Sequence, residues 1–355
     1  MHDLWEDDEE VWRNGEYLTT VLGDRAAEFI TRTAPEGPFF CYVPFNAPHY
    51  PMHAPAEHMD RVAHLPPGRR ETAAMIAAMD DAIGVILEAS GTRDDTLVLF
   101  SSDNGPSRES RNWLGGEEIS YEGGSTGGLR GSKGSIFEGG IRVPCIMSWP
   151  SGLPTGEERD LVGLMMDVVP TVLHAADGAA PTLPDADGLL LLEALRDGTD
   201  PGERPVYWTY QGQYAVRRGR YKLVAGPHEG MDPPAVLERA LFDLDADPEE
   251  SVDIAGREPE VVAELERDLE AYRVAAERWS AELTAARTSG SVPAAAISLP
   301  PTSSAAAARR RAGRRSGTSR SSTGRVASAR APWSGRWRGP SASRTALPSH
   351  RAARR

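Results

Sequence analysis

Thr96-Leu-Val-Leu-Phe-Ser101-Ser-Asp103-Asn104-Gly105 passes from a continuous apolar run to a carboxylate, an amide and a glycine. The run Thr96 to Ser101 predicts a buried strand, bounded by turn residues. A strand ending in hard oxygen donors sets them at its C-terminal edge, where open α/β sheets bind ligands. Asp103 and Asn104 are therefore candidate ligands for Ca2+ or Mg2+. The competing account is an ordinary Asp-Asn-Gly turn, and the tetrapeptide by itself favours the turn.

Outward from this stretch the chain alternates strand-like and helix-like segments. Phe39-Phe-Cys-Tyr-Val-Pro-Phe45 is a short apolar run that predicts a second buried strand. Arg69 to Ser90 places Ala73, Ile76, Ala77, Met79, Ile83, Ile86 and Leu87 near helical spacing. Arg142 to Trp149 predicts another strand, and Asp167 to Ala176 a helix with Pro170 in its first turn, where proline is tolerated. This order implies an α/β sheet flanked by helices. From about Arg204 the pattern changes. Pro205 to Tyr210, Tyr214 to Arg217 and Tyr221 to Val224 are short aromatic and β-branched runs separated by Gln211-Gly-Gln213 and Arg218-Gly-Arg220. They predict a small antiparallel sheet. Glu260 to Ala286 follows as an amphipathic helix with Val262, Leu265, Leu269, Tyr272 and Ala276 on one stripe. The expected division is a main domain over 1–200, a C-terminal subdomain over 201–287 and a tail over 288–355.

Charge supports that last boundary. The 355 residues carry 52 acidic and 39 basic side chains, a formal net charge of −13. The last acid is Glu282, and the segment from Thr288 to Arg355 holds 14 arginines and no lysine. The body therefore has 25 basic against 52 acidic residues, a balance of −27. The Arg/Ser/Ala-rich tail has too few large apolar side chains to offset the entropy of ordering it. It is a disordered extension, an out-of-frame translation of GC-rich sequence, or a nucleic-acid arm; composition favours the first two, and no nucleic-acid partner is expected. No apolar run reaches the ~18 residues needed to cross a bilayer, so no membrane span is expected. No secretory signal pattern opens the chain. Two cysteines cannot form a disulfide framework, and Cys41 and Cys145, each within an apolar run, read as packed thiols.

Two further features carry chemistry. In Asn46-Ala-Pro-His49-Tyr-Pro51, two prolines stiffen a loop around one histidine able to hydrogen-bond an oxyanion or protonate a leaving group. The plainer account is a loop histidine; His53, His58 and His64 lack this setting and read as surface residues. Gly127-Gly-Leu-Arg-Gly-Ser-Lys133-Gly-Ser-Ile-Phe-Glu-Gly-Gly140 is rich in glycines that let backbone approach an anion. The body uses Arg almost throughout, with Lys133 and Lys222 its two lysines, and a compact ammonium is not interchangeable with a guanidinium at an anion site. The spacing is not that of a P-loop. A flexible surface loop is the competing account.

The order of these blocks resembles the type I sulfatase (arylsulfatase) family. Phe45-Asn-Ala-Pro-His49-Tyr-Pro, Ser102-Asp103-Asn104-Gly and Leu129-Arg-Gly-Ser-Lys133-Gly-Ser-Ile-Phe-Glu-Gly-Gly-Ile-Arg-Val-Pro144 are followed by Gly219-Arg-Tyr-Lys-Leu223 and Leu241-Phe-Asp-Leu-Asp-Ala-Asp-Pro-Glu-Glu250. Gly15-Glu-Tyr-Leu-Thr19 and Asp24 to Ile30 are similar to the segment preceding the family's histidine loop. The resemblance implies an alkaline-phosphatase-like α/β fold, incomplete here, with a small antiparallel-sheet and helix subdomain. It implies that Asp103 and Asn104 are two ligands of a divalent metal, and that His49 and Lys133 contact the sulfate of the substrate. Family members attack sulfur with the hydrate of a formylglycine made from Cys or Ser in a Cys/Ser-x-Pro/Ala-x-Arg motif.

Here this sequence departs from the family. Cys41 is followed by Tyr-Val-Pro and Cys145 by Ile-Met-Ser, so neither lies in that motif. The motif, an Asp-Asp metal pair and a further Lys and His are missing, as though the chain began at the family's middle. The expectation is a sulfuric ester hydrolase portion that is inactive alone. The rivals are a phosphatase or phosphodiesterase of the same superfamily and a non-catalytic remnant that binds sulfated glycans. The expected partner is a small sulfate ester or a sulfated glycan. Trp113 and Tyr121 in the Arg108 to Ser125 loop either stack on a sugar or aryl ring or pack the loop. Family members are often periplasmic, secreted or lysosomal.

Overall fold

The structure is a computed structural model that describes residues 4–288, apart from 67, 92, 109–111, 115–116, 120–122, 180–182, 184–186 and 229–234. The expectation of a disordered tail falls outside the described residues, as does Tyr121. In chain order the elements are β1 (Trp5–Glu6), β2 (Glu9–Glu10), α1 (Leu18–Thr33), α2 (Ala56–Arg61), α3 (Arg70–Ala89) and β3 (Val98–Ser101). Then follow β4 (Asn112–Leu114), β5 (Glu117–Ile119), α4 (Glu138–Ile141), β6 (Cys145–Ser148), α5 (Val168–Asp177) and α6 (Leu192–Asp197). The last group is β7 (Val206–Tyr210), β8 (Gln213–Arg218), β9 (Tyr221–His228), β10 (Ala235–Asp243) and α7 (Pro259–Thr288). Among the described residues no helix is long and apolar enough to cross a membrane.

The first half is built on α1, α3 and a two-stranded antiparallel ladder. β3 pairs with β6 from Val98 opposite Ser148 to Ser101 opposite Cys145. α3 spans the expected helix but turns a different face inward. Thr72, Ala74, Met75, Ala78 and Ala82 are buried, whereas Ile76 is 45% exposed. The reason is close helix packing. A Cβ on Gly23 of α1 would stand 2.8 Å from the Cβ of Ala82, so small residues of α3 admit α1 at this crossing. The expectation of a buried strand over Phe39 to Phe45 is corrected. No strand pairing is found there among the described residues; Phe40 and Tyr42 are 71% and 74% exposed, and exposure alternates along the segment. The side-chain period is that of extended backbone with one face turned to solvent.

The second half is a four-stranded antiparallel sheet in the order β10-β9-β8-β7. Its period-two pattern separates two faces. On one, Val216, Leu223 and Leu241 pack with Val262 and Leu265 of α7, joined by Leu269. Tyr272, further along that stripe, stacks on Tyr207 with ring centroids 4.4 Å apart. On the other face, Ala215, Val224, Ala240, Phe242 and Leu244 pack with Ile136 and Phe137. The sheet is thus filled from one side by α7 and from the other by the glycine-rich stretch. The β7–β8 turn is set by Gln211 and Gly212, both at positive φ (47° and 82°), as a two-residue hairpin turn requires.

Candidate functional site

The glycine-rich stretch is not a flexible surface loop. Ser132 and residues 135–140 are buried. Phe137 is fully buried, meets Phe242 edge-on at 6.0 Å and lies under the Arg130 guanidinium at 4.3 Å. The glycines serve backbone-to-backbone contact. A Cβ on Gly139 would press against the carbonyl oxygens of Arg130 and Gly131, and the Gly139 N–H donates to Arg130 O at 2.7 Å. Gly131 and Gly134 flank Lys133 at φ 82° and 89°, where other residues are strained.

This folded loop reaches the Asp103–Asn104 turn. The Gly105 N–H donates to Gly140 O at 2.8 Å, and the Lys133 N–H donates to Pro106 O at 2.9 Å. Within the turn, Ser102 Oγ donates to Asn104 O at 2.9 Å. Asp103 is exposed, and Asn104 and Lys133 are half-buried. The structure therefore brings Asp103, Asn104 and Lys133 into one backbone-bonded unit at the end of β3. Asp103 and Asn104 have the oxygen donors that suit Ca2+ or Mg2+. No cluster of three or more His, Cys, Asp or Glu side chains able to hold a metal is found among the described residues.

His49 is held by contacts within its own loop. Its flanks are anchored: Ala47 and Met52 are buried with Met75 of α3. The His49 N–H donates to Asn46 O at 2.8 Å, its Nδ1 lies 2.8 Å from Tyr50 O, and its ring packs on Tyr50 at 4.5 Å. The imidazole itself is exposed. Among the described residues no hydrogen bond or ring contact joins it to Asp103, Asn104 or Lys133.

His58 departs from its expectation as a surface residue. It is 6% exposed, with Nε2 3.0 Å from Asp81 Oδ2, and Arg61 also donates to that oxygen at 2.6 Å. The arginine and then the histidine hold the Asp81 carboxyl below its ordinary range. Cys145 is exposed rather than packed, and Cys41 is half-buried. Desolvation raises both thiols above their ordinary value, so neither is poised as a thiolate nucleophile.

A buried ion cluster lies behind the loop. Lys222 is fully buried, with Nζ 2.8 Å from Glu138 Oε1 and 2.9 Å from Glu250 Oε1. Glu250 Oε2 accepts the Glu138 N–H at 2.6 Å. Burial pushes the Glu250 carboxyl up, with Lys222 pulling against it. Glu138 and Glu250 lie inside the two blocks quoted for the family resemblance, but nothing in their spacing marks them as neighbours.

The sulfatase family model matches residues 2–179. Arylsulfatase J of Mus musculus is 28% identical over 323 residues, which cover 76% of this chain and 51% of that protein. N-acetylgalactosamine-6-sulfatase of Mus musculus is 33% identical over 211 residues, 58% of this chain and 38% of that protein. Arylsulfatase A of Homo sapiens is 30% identical over 260 residues, 65% and 48% of the two chains. The crystal structure of Ps i-CgsB superposes with a TM-score of 0.61 at 26% identity, covering 75% of this chain and 56% of that one. The same protein in complex with k-i-k-neocarrahexaose gives a TM-score of 0.60. The chain spans about half the length, or less, of these curated relatives.

Proposed function

The chain belongs to the sulfatase family, with its alkaline-phosphatase-like α/β fold, and from that premise we propose that it supplies the sulfate-holding part of a sulfuric ester hydrolase. Lys133 binds the sulfate. His49 contacts it near the leaving oxygen and delivers the proton there. Asp103 and Asn104 contribute two oxygen ligands to a divalent cation, Ca2+ or Mg2+, which when bound adds positive charge beside the sulfate. One observation carries the proposal: the main-chain bond from Lys133 N to Pro106 O ties the backbone of this half-buried lysine to the segment that follows the Asp103–Asn104 turn. The other lysine, Lys222, is fully buried and cannot serve.

The substrate class is a sulfate ester, carried on a sugar or an aryl group. Two relatives support a sugar: N-acetylgalactosamine-6-sulfatase by its name, and Ps i-CgsB by its complex with k-i-k-neocarrahexaose. By itself the chain has little or no sulfatase activity, because neither cysteine lies in the formylglycine motif and neither thiol is activated. The test is calorimetric titration of the purified chain with inorganic sulfate, with and without Ca2+, beside an aryl sulfate turnover assay. Sulfate binding that Lys133→Ala weakens, without turnover, is expected. Binding indifferent to Lys133→Ala would remove the lysine from the site. Turnover abolished by that substitution would overturn the expected inactivity, and tighter binding of phosphate than sulfate would favour a phosphatase of the same superfamily.

A further inference from the structure

Burying one ammonium with two carboxylates is an inefficient way to stabilise a fold, since an apolar cluster of the same volume often does as well. What an ion cluster of this kind does supply is geometry. Its three members come from three separate segments: Glu138 at the start of α4, Lys222 in β9, and Glu250 in the turn after β10, at φ 54°. Arg142 and Arg217 each stand 3.9 Å from Glu138 Oε2, so this oxygen too faces positive charge. The same region grips the loop at further points. Arg130 Nη1 donates to Glu250 O at 2.7 Å. Gln213 Nε2 donates to Gly134 O at 2.9 Å, and the Ile136 N–H donates to Gln213 Oε1 at 3.3 Å. Gln213 is 2% exposed.

These contacts fall on residues 130, 134, 136 and 138, on both sides of Lys133. Lys133 between them is left half-exposed, and its main-chain N–H donates to Pro106 O. We propose that Glu138, Lys222, Glu250 and Gln213 are positioning residues for Lys133: the C-terminal sheet and the turn after it hold the loop so that this one lysine faces the anion. The inference rests on Lys133 being the sulfate ligand. It assigns the C-terminal sheet a part in anion binding, though Lys222, Glu250 and Gln213 reach the anion only through the loop. It also accounts for why the chain's second lysine is buried while the first is presented.

The composition makes the test direct. With Lys222 sealed, reductive methylation of the folded full chain with 13C-formaldehyde labels one side-chain amine, Lys133, beside the α-amine of Met1. Its NMR signal is followed during titration with sodium sulfate, alongside hydrogen exchange of the amides of residues 130–139. Two variants are compared with the parent: Glu138→Gln/Lys222→Met/Glu250→Gln, which removes all three charges together, and Gln213→Ala, which leaves the ion cluster whole. In a folded variant, faster exchange over 130–139 and a sulfate midpoint raised about tenfold are expected. A Gln213→Ala chain with unchanged exchange and an unchanged sulfate midpoint would overturn the proposal, even if the triple variant did not fold. Should the parent's Lys133 signal ignore sulfate altogether, the sulfate reading of Lys133 fails. The exchange and the Lys133 chemical shift then judge the positioning claim: a change in both upholds it, and no change sinks it.

Discussion

Lys222 Nζ lies 2.8 Å from Glu138 Oε1, and neither side chain meets solvent appreciably: Lys222 is fully buried and Glu138 is 2% exposed. Removing one member of such a cluster leaves charge stranded in a low-dielectric interior. Lys222→Met, which keeps the linear shape and deletes the charge, confronts Glu138 with Glu250 and is expected to cost about 3–5 kcal/mol. Replacing all three members together should cost clearly less, since no unpaired charge remains. Urea unfolding midpoints of the two variants check the ordering. A single variant no less stable than the triple one would mean that the cluster is not fully desolvated.

The α1–α3 contact gives a second, paired prediction. Gly23 has no room for a methyl group, with Ala82 Cβ 2.8 Å from where it would stand, whereas a Cβ on Gly84, in the same α3 helix as Ala82, would meet nothing within 4 Å. Gly23→Ala forces the helices apart and is expected to destabilise by about 1–3 kcal/mol. Gly84→Ala removes a flexible residue from a helix interior at no steric cost, and should stabilise by about 0.5–1 kcal/mol. Thermal melts of the two single variants should therefore shift in opposite directions.

The stacked pair Tyr207–Tyr272, 4.4 Å apart and nearly parallel at 5°, joins β7 to α7 beyond the buried Val262 and Leu265. Aromatic pairs of this kind contribute about 0.5–1.5 kcal/mol beyond area burial. A double-mutant cycle with Tyr207→Leu and Tyr272→Leu should return a coupling energy of that size. Additive effects of the two substitutions would show that the stacking contributes nothing of its own.

How much of this was legible follows from which forces the sequence displays. The β7, β8 and β9 runs, the Gln211-Gly212 turn and the α7 stripe were legible because side-chain period and turn chemistry are local. The fourth strand, β10, was not: Glu238 and Arg239 interrupt its apolar pattern, and its register against β9 shifts between Leu237 and Ala240. The inward face of α3 does not follow its apolar spacing because size, not hydrophobicity, decides it at the Gly23–Ala82 crossing. The apolar content of Phe39 to Phe45 predicts burial, and its exposure depends on tertiary context. Of the candidate site residues, Asp103, Asn104, His49 and Lys133 stand out by residue type and setting. The links that place them did not, because Gly105 N to Gly140 O and Lys133 N to Pro106 O are main-chain bonds that no side chain announces. Gln213 and Glu250 are not marked as neighbours of the loop for a different reason: their side-chain contacts span large sequence separations that only the sheet closes.

The turn that presents Glu250 gives the pH prediction. Asp247 accepts the N–H groups of Ser251 and Val252 at 2.8 Å each through Oδ2, and the Ser251 hydroxyl at 2.8 Å through Oδ1. Desolvation works to raise its pKa, but the Val252 N–H, the Ser251 hydroxyl and the Ser251 N–H together outweigh it and hold the carboxyl below its ordinary 3.8. A depressed folded-state pKa means that the stabilisation is present above the unfolded value and is lost as pH falls through the folded one. Asp247 should therefore support the turn fully at neutral pH and release it only below pH 3.8. Asp247→Asn removes this titration while keeping one acceptor oxygen. The parent and variant melting curves are expected to converge as pH is lowered from about 5 to about 2, with the parent the more stable at the upper end. Because the turn carries Glu250, the protection of the amides of residues 130–139, taken relative to their intrinsic exchange at each pH, should fall in the parent over the same interval. A gap between the two proteins that stays constant across that range would show that the Asp247 carboxylate does not hold the turn.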